Sequence, residues 1–552
     1  MAEESYDAVI VGAGHNGLVT GFDLARAGAR VLILERRAFV GGACVTEEFA
    51  PGYMASSGAY VLSMLRGSIW RDMQLSRRGI VVDAAGPTLN LFADGARYLL
   101  SRDPVETAEA TRRFSPQDAA ALTAMERQLA GFAEVVGSLF ERTPPDPALA
   151  RPQEDLSGFL RAGRIGLRHR RDLGDLAFLF ATSMRRFLAE RFTSEHVMAS
   201  LGWHAINDSV AGPSTPGTAY LLLHDHAGDA GTEGPREWGF VRGGMGRLTE
   251  RMADAAREAG ATIRTDAEVE RVLVRDGAAR GVVMGGGREI RARAVVSNAD
   301  PKRTFLRLVD EGDLPEDFLG KIRAFRSEGT SIKINLALSG LPFVPDLPTD
   351  GVQPYHRGVL EMNPFLDELD EQQASARAGI PADPSHIELC FPTVHDPSLA
   401  PEGRQIATID VNSQPYTLRE GDWDSIKEAR ADAAIRQISQ FFPALPDLVL
   451  HRQVLTPLDL ERRLALTGGH ALHGEMSPDQ LLFLRPVRGW ANYRTPLRGL
   501  YLCGAGTHPG GGVTGANGRN AAREIIRDLR RRRWTWRRSS RNGSGERPPA
   551  PS

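Results

Sequence analysis

The feature that most constrains this chain is the hexad Gly12-Ala13-Gly14-His15-Asn16-Gly17, set between an apolar run, Tyr6 to Val11, and a segment of helical character from about His15 to Ala27. A strand that turns on a glycine and enters a helix brings free N–H groups and the helix's positive end to one point. Gly12 permits the tight turn, Gly14 lets a pyrophosphate approach the backbone, and Gly17 lets the helix pack close to the sheet. Gly28 is placed to end that helix. A second apolar run, Arg30 to Glu35, ends in an acid eighteen residues beyond Gly17, where a carboxylate can accept hydrogen bonds from ribose hydroxyls. The pattern predicts a complete βαβ unit that binds a dinucleotide.

At 552 residues the chain can form two or three domains, and 42% hydrophobic with 25% charged residues is the balance of a soluble globular protein. Its cysteines, Cys44, Cys390 and Cys503, form no CxxC pair. That speaks against a disulfide scaffold, a zinc site or a dithiol redox centre, and suits a reducing compartment. The acidic N-terminus runs directly into a strand without the pattern of a signal or transit peptide, and no long unbroken apolar window occurs. A cytoplasmic protein is expected, and four lysines among 67 basic residues suggest a GC-rich bacterial genome. The formal charge of −2 is uneven: residues 530–552 hold eight arginines and one glutamate, a local +7 that leaves −9 for the rest. This basic tail, rich in Ser, Gly and Pro, is expected to be disordered. It reads either as a solvated extension or as a peripheral membrane contact with Trp534 and Trp536 at the interface. The acidic body speaks against nucleic acid as a partner.

Ser115-Pro116-Gln117-Asp118 is a helix start, and Leu122, Met125, Leu129, Phe132, Val136 and Phe140 follow at helical spacing. Further helices are expected from Asp172 to Arg191 and from Glu195 to Leu201, with a Pro-rich loop from Thr143 to Pro152. The run Leu176 to Met184 reads as core or as a lipid-facing surface. Strands at about 269–275, 279–284 and 288–292 make a meander around Asp276-Gly277 and Gly285-Gly286-Gly287. From Ile332 to Leu338, apolar residues alternate with Lys333, Asn335 and Ala337, the pattern of a half-buried strand. The fold class expected is α/β. Residues 1–105, 238–305 and 481–529 form a discontinuous Rossmann-type domain, 106–237 a mainly helical insertion, and 306–480 a substrate-binding α+β domain with a mixed sheet; 530–552 is the tail.

Val40-Gly41-Gly42-Ala43-Cys44 adds a glycine pair beyond the acid, and Gly504-Ala505-Gly506-Thr507-His508-Pro509-Gly510-Gly511-Gly512-Val513 joins a terminal strand to the last helix. Exposed amides at such a junction, backed by a helix's positive end, stabilise negative charge near the N1/O2 side of a reduced flavin. A nicotinamide enzyme does not need this remote closing segment, so the dinucleotide expected is FAD. Gly243-Gly244-Met245-Gly246 has the wrong spacing for a second dinucleotide site. The stretches VIVGAGHNGLVTGFDLARAG, GGMGRLTERMADAAREAGATIRTDAEVERV and LYLCGAGTHPGGGVTGANGRNAA resemble the phytoene desaturase-like flavoproteins. HGEMSPDQLLFLRPVRGWANYRTP is similar to a narrower branch, the pyridine nucleotide-disulphide oxidoreductase domain-containing protein 2 group with the carotene ketolases. The likeness runs to about Leu529. It implies an FAD-binding fold like that of amine oxidases, with Val269 contacting the adenine through its backbone. The cofactor set expected is then Gly12, Gly14, Gly17, Glu35, Gly41, Gly42, Val269, Gly504, Gly512 and Val513.

Hydride removal from a C–H bond to flavin N5 needs orientation and an apolar site, with an optional base. His508, inside the flavin-facing loop, is one catalytic candidate. His473 and Glu475 are candidates through the resemblance, and His204 with Asp208 is a third pair; each also reads as structural. His224-Asp225-His226 lacks a third ligand, so no metal is assigned. Three readings stand: an FAD-dependent oxidoreductase of a hydrophobic small molecule (isoprenoid, carotenoid-like or lipid), a flavin amine oxidase, or a non-enzymatic FAD- or prenyl-binding regulatory protein.

Overall fold

The computed structural model describes residues 4–144, 173–228 and 238–542. β1 (Ser5–Val11), α1 (His15–Arg26) and β2 (Val31–Leu34) form the expected unit, with Ala8 opposite Val31 and Val11 opposite Leu34 in parallel. The parallel core continues on both sides, in the order Leu500–Leu502, Glu289–Ser297, β1, β2, Thr262–Arg264. The hairpin Val269–Arg275 and Ala278–Met284 lies antiparallel beside the first half of Glu289–Ser297. Strands covered on both faces read as unbroken apolar runs, and β2 is buried at every residue. One face packs Ile10 and Ile33 against Leu18, Leu248, Met252 and Ile525 of three helices. The other packs Val9, Leu32 and Val295 against Phe305, Phe318 and Ile322.

The second sheet has seven strands, in the order Val449–Leu455, Ile332–Leu338, Gln405–Val411, Ile387–Cys390, Leu360–Met362, Thr88–Leu91, Arg97–Leu100. All its pairings are antiparallel except Leu360–Met362 with Thr88–Leu91. Helix Trp423–Ser439 lays Trp423, Ala434 and Ile438 on Ile334, Leu336 and Ile409. The insertion supplies helices Pro104–Arg112, Pro116–Phe140, Leu173–Ala181, Met184–Ala189, Glu195–Gly202 and Ala219–His226, which pack around a core of their own with Phe92 and Tyr98. Ser115 caps the long one by accepting from the Asp118 N–H at 3.2 Å. Leu179 and Met184 are fully buried in the insertion's core, and Leu176, Phe178 and Phe180 pack partly buried against it.

Several boundaries differ from the sequence expectation, each for a tertiary reason. Thr88–Leu100 lies in the second sheet, not the dinucleotide domain, because Leu89 and Leu91 find their partners at Leu360 and Met362. Thr304–Leu308 and Glu316–Ala324 pack on the first sheet, so that domain reaches past residue 305. The third meander strand runs on to Ser297, carrying Val295 and Val296 into the parallel core. The helix expected from Asp172 to Arg191 is two, because Ser183 accepts from the Arg186 N–H and starts the second; Asp172 lies outside the described residues, as does most of the Thr143–Pro152 loop. The last helix spans Ala516–Asn542, so the start of the basic tail is helical rather than disordered: residues 530–542 contain neither Gly nor Pro to break it. Residues 543–552 lie outside the described residues. Among the described residues no helix is long and apolar enough to cross a membrane.

Helix α1 and the last helix touch through backbone. A Cβ at Gly518 would lie 2.1 Å from the Asn16 carbonyl oxygen, and Thr20 Oγ1 donates to the Asn16 and Gly518 carbonyls at 2.9 and 3.1 Å. Gly320, inside helix Glu316–Ala324, has nothing within 4 Å of such a Cβ. Gly518→Ala is therefore expected to destabilise by about 1–3 kcal/mol. Gly320→Ala is expected to stabilise by about 0.4–1 kcal/mol, because alanine narrows the unfolded ensemble. Denaturant midpoints of the two variants should move in opposite directions.

Candidate active site

A single continuous cavity takes its walls from both sheets: Gly12, Gly14, Glu35 and Val269 line it on the first, Lys333, Glu388 and Asp410 on the second. Gly12 sits at φ +96°, a left-handed conformation suited to glycine, and its N–H donates to the Leu34 carbonyl at 2.7 Å. Across the turn, the Gly41 N–H donates to the Ala13 carbonyl at 3.0 Å. A Cβ on Gly42 would lie 3.1 Å from Gly14 Cα, and one on Gly14 would lie 2.7 Å from Asn298 Nδ2. Two backbone segments thus abut at the N-terminus of α1 with no room for side chains. Glu35 is buried, and its carboxylate accepts from the Ala13 and Arg37 N–H groups at 2.9 and 3.0 Å. The carboxylate fixes the turn and still faces the cavity with lone pairs to spare. Asn16 Oδ1, also at this wall, has no partner among the described residues. A cradle of bare backbone, a helix's positive end and a buried carboxylate fit a pyrophosphate followed by a ribose.

The closing loop contributes Ala505, Gly511, Gly512 and Val513 to the same cavity. Val513 is held at φ +58°, a strain of about 1–3 kcal/mol of the kind that gathers at functional sites. Gly17, Gly41 and Gly504 do not line the cavity. Their missing side chains let backbone segments meet: a Cβ would lie 2.3 Å from the Gly12 oxygen, 2.7 Å from the Cys44 oxygen and 2.6 Å from the Asn298 oxygen, respectively. The glycine that brings α1 onto the sheet is Gly21, against Ile33 at 2.5 Å, which the motif reading passed over.

His508, a catalytic candidate from the sequence, is buried outside the cavity, and its Nε2 donates to the Leu139 carbonyl at 3.0 Å, tethering the loop to the insertion. Glu475 is likewise structural, its carboxylate accepting from Arg326 Nε at 2.6 Å. His473 does face the cavity. Burial lowers its pKa to about 4, so it is neutral, and its Nδ1 has no partner. Asp208 also lines the cavity, its carboxyl pushed up to about 6 by burial while it accepts from the Ala471 N–H at 3.0 Å. His204 instead stands behind Asp225, 2.8 Å from its carboxylate. The run His224-Asp225-His226 diverges: the first two line the cavity, whereas His226 faces the Leu222 carbonyl at 2.6 Å.

The sequence reading missed the wall from the second sheet. Ile332–Leu338 is buried along its whole length, so the polar half of its alternation does not meet solvent: Lys333 lines the cavity, and Asn335 bonds Gln453 and Thr408 at 3.1 and 3.0 Å. Lys333 lies with its ammonium 3.4 Å from the centre of the Tyr60 ring and makes no hydrogen bond. The Tyr60 hydroxyl donates to Glu388 at 2.6 Å. Burial lowers the Lys333 pKa and raises the Glu388 and Asp410 carboxyls, which also repel one another's charge. One signal was available: Lys333 is one of only four lysines and sits at the start of an apolar strand.

A family model described as flavin containing amine oxidoreductase matches residues 17–526. The rat protein named pyridine nucleotide-disulfide oxidoreductase domain-containing protein 2 (Rattus norvegicus) is 38% identical, covering 95% of this chain and 94% of its own. A limonene dehydrogenase component from Castellaniella defragrans is 28% identical over 95% of both chains. Among solved structures, a triple mutant of putrescine oxidase superposes with a TM-score of 0.61 at 16% identity, covering 96% of this chain and 99% of that one, a likeness of fold. The cofactor that the cradle accepts is FAD.

Gly14→Val puts a branched side chain on the floor of the cradle, where Asn298 Nδ2 already leaves a Cβ 2.7 Å. The purified variant is expected to be colourless while the wild type is yellow with about one FAD per chain. Full FAD occupancy in the variant would show that the cofactor lies elsewhere.

Proposed function

We propose that this chain, which belongs to the flavin-containing amine oxidoreductase family, oxidises a largely apolar small molecule whose polar end rests against Lys333, Asp410 and Glu388. The observation that carries the reading is the mixed lining of the cavity. Past the closing loop it meets Met64, Leu221, Leu472 and Met476, and then the ionisable face of the second sheet. Each buried methylene contributes roughly 0.8 kcal/mol, so the apolar side chains supply binding without direction. Direction comes from the polar end, because a buried donor left without its partner costs about 1–3 kcal/mol. FAD, when bound, supplies the hydride acceptor. The chain holds the reacting C–H bond in place and keeps water out. Neutral His473 can take a proton at Nδ1, and the Lys333 ammonium can steady negative charge developing on a substrate oxygen. The relative named for limonene supports an apolar substrate. An amine is less favoured: a substrate ammonium would meet that of Lys333, and the aromatic rings among the described lining residues are Tyr60 and Trp238.

Anaerobic bleaching of the flavin with a monoterpene alcohol, the matching hydrocarbon and a diamine tests this reading. The alcohol is expected to bleach fastest and bind tightest. Lys333→Met should weaken the alcohol about tenfold while leaving the hydrocarbon unchanged. Bleaching by the diamine alone would reject the reading.

The tail joins the same reading. A long apolar substrate stays in the bilayer, and eight arginines with two tryptophans in residues 530–552 suit a peripheral hold on an anionic surface that the −9 body would avoid. Binding to anionic liposomes is expected to weaken as the Debye length falls from about 10 Å at 0.1 M salt to 3 Å at 1 M. Truncation after Leu529 should abolish it with FAD content unchanged. Equal sedimentation of both forms would make the tail a solvated extension.

A further inference from the structure

We propose that Glu361, His386 and Glu388 hold a divalent first-row transition-metal cation behind the substrate wall, a site independent of which substrate the cavity takes. Four neighbouring strands carry ionisable residues in one register: Lys333 opposite Asp410, Asp410 opposite Glu388, and Glu388 opposite Glu361. Like charges directly opposite on adjacent strands destabilise a sheet. The single ammonium answers Asp410, its own cross-strand neighbour, and leaves Glu388 and Glu361 facing each other. His386 precedes Glu388 by two residues and so projects from the same face.

One imidazole nitrogen and two carboxylate oxygens of this trio lie within 4.8 Å of one another. His386 Nε2 stands 3.0 Å from Glu361 Oε2, yet neither atom makes a hydrogen bond. Both side chains are buried, at 0% and 2% exposure. The pair stands at ion-pair distance without a hydrogen bond, and a cation between the two atoms would give each the partner it lacks. Donors bound to one ion at about 2.1 Å stand roughly 3.0–3.5 Å apart, and the His386–Glu361 pair already stands at that separation. The surroundings hold the donors as outer-shell residues hold metal ligands: Tyr60 donates to Glu388 at 2.6 Å, and the Trp203 ring stacks on the imidazole at 5.1 Å. Two carboxylates and an imidazole without thiolate suit zinc, manganese or ferrous iron. A doubly positive ion would balance Glu361 and Glu388 and, through Tyr60, set the wall that the cavity presents. The histidine and glutamates come from two strands and the residue before one of them, so no short motif announces the site.

FAD-loaded full-length protein, stripped with a chelator, supplied with zinc and gel-filtered, is expected to retain about one zinc per chain. Glu361→Gln and His386→Gln should bind zinc about 100-fold more weakly or not at all, with FAD content unchanged. Zinc should raise the thermal midpoint of the wild type and not of the variants. No zinc in the wild type, or equal zinc in all three proteins, overturns the proposal. Should either variant fail to load FAD, crystals of the wild type soaked in zinc decide: an anomalous peak among the three side chains supports the site, and its absence rejects it.

Discussion

The guanidinium of Arg485, wholly removed from solvent, is the contact on which the arrangement of this site depends. Its Nε and Nη2 both donate to the Ala505 carbonyl, at 3.1 and 2.9 Å, and its Nη1 and Nη2 reach the carbonyls of Glu475 and Leu472, each at 2.9 Å. Gly474 and Gln480 accept further bonds at 3.1 and 3.3 Å. Among the described residues no carboxylate answers it directly; the charge is spread over carbonyl dipoles of the segment 472–480 and of Ala505. A buried cation costs several kcal/mol unless its donors are satisfied, and only a planar fork of five N–H groups can satisfy them in this geometry. The clamp therefore fixes two things together. It holds the rim on either side of His473, which sits at φ +56°, and it anchors Ala505 at the start of the closing loop. From the other side Asn520 donates to the Tyr493 hydroxyl at 2.9 Å, and Tyr493 donates to the His508 carbonyl at 2.8 Å. The loop is thus bound to the second sheet's rim, the insertion and the last helix at once.

What the sequence made legible was local. The βαβ unit could be read because its strands are apolar on both faces and its turn needs glycine, so composition and conformation agree within thirty residues. Glu35 could be read because its spacing from the glycines is set by the helix between them. The closing loop showed itself by glycine density. The wall of the second sheet did not, because alternation along Ile332–Leu338 reports two different faces without saying whether the polar one meets water or a cavity. His508 was drawn in by its place in a glycine-rich loop, yet side-chain direction there is decided by the insertion at Leu139, far away in the chain. Gly504 and Gly17 carry the same lesson: a glycine motif marks close approach, but only tertiary contacts tell whether a ligand or another backbone approaches. The hairpin Thr88–Leu100 was misassigned because strand pairing across more than 250 residues leaves no trace in either segment.

The residues the sequence misjudged are also those that break the rules of a stable sheet. Lys333, Asp410, Glu388 and Glu361 run across four strands, where apolar side chains would pack at no electrostatic cost. The opposite face of the same strands carries Ile334, Leu336, Leu389 and Ile409, the residues such a sheet ordinarily uses. The departure is confined to the face that borders the cavity. Local conflict with stability, limited to one face and aimed at one space, marks the place where function outweighs packing.

The same reasoning joins cofactor and fold. Asn16 Oδ1, His473 Nδ1 and Lys333 Nζ find no hydrogen-bond partner among the described residues, and the residues bearing them line one cavity. An unpaired buried polar group costs about 1–3 kcal/mol, so three of them are a sizeable fraction of the 5–15 kcal/mol by which a domain is stable. Groups that bind there and pair with these atoms recover that loss in the folded state alone, which makes binding and folding one equilibrium. Helix α1, packed on the first sheet, carries Asn16 at the cofactor's end and the second sheet carries Lys333 at the substrate's end, while His473 stands on the rim clamped by Arg485. A ligand that spans them does by contact what the covalent chain does not: it couples two sheets whose strands never pair with one another.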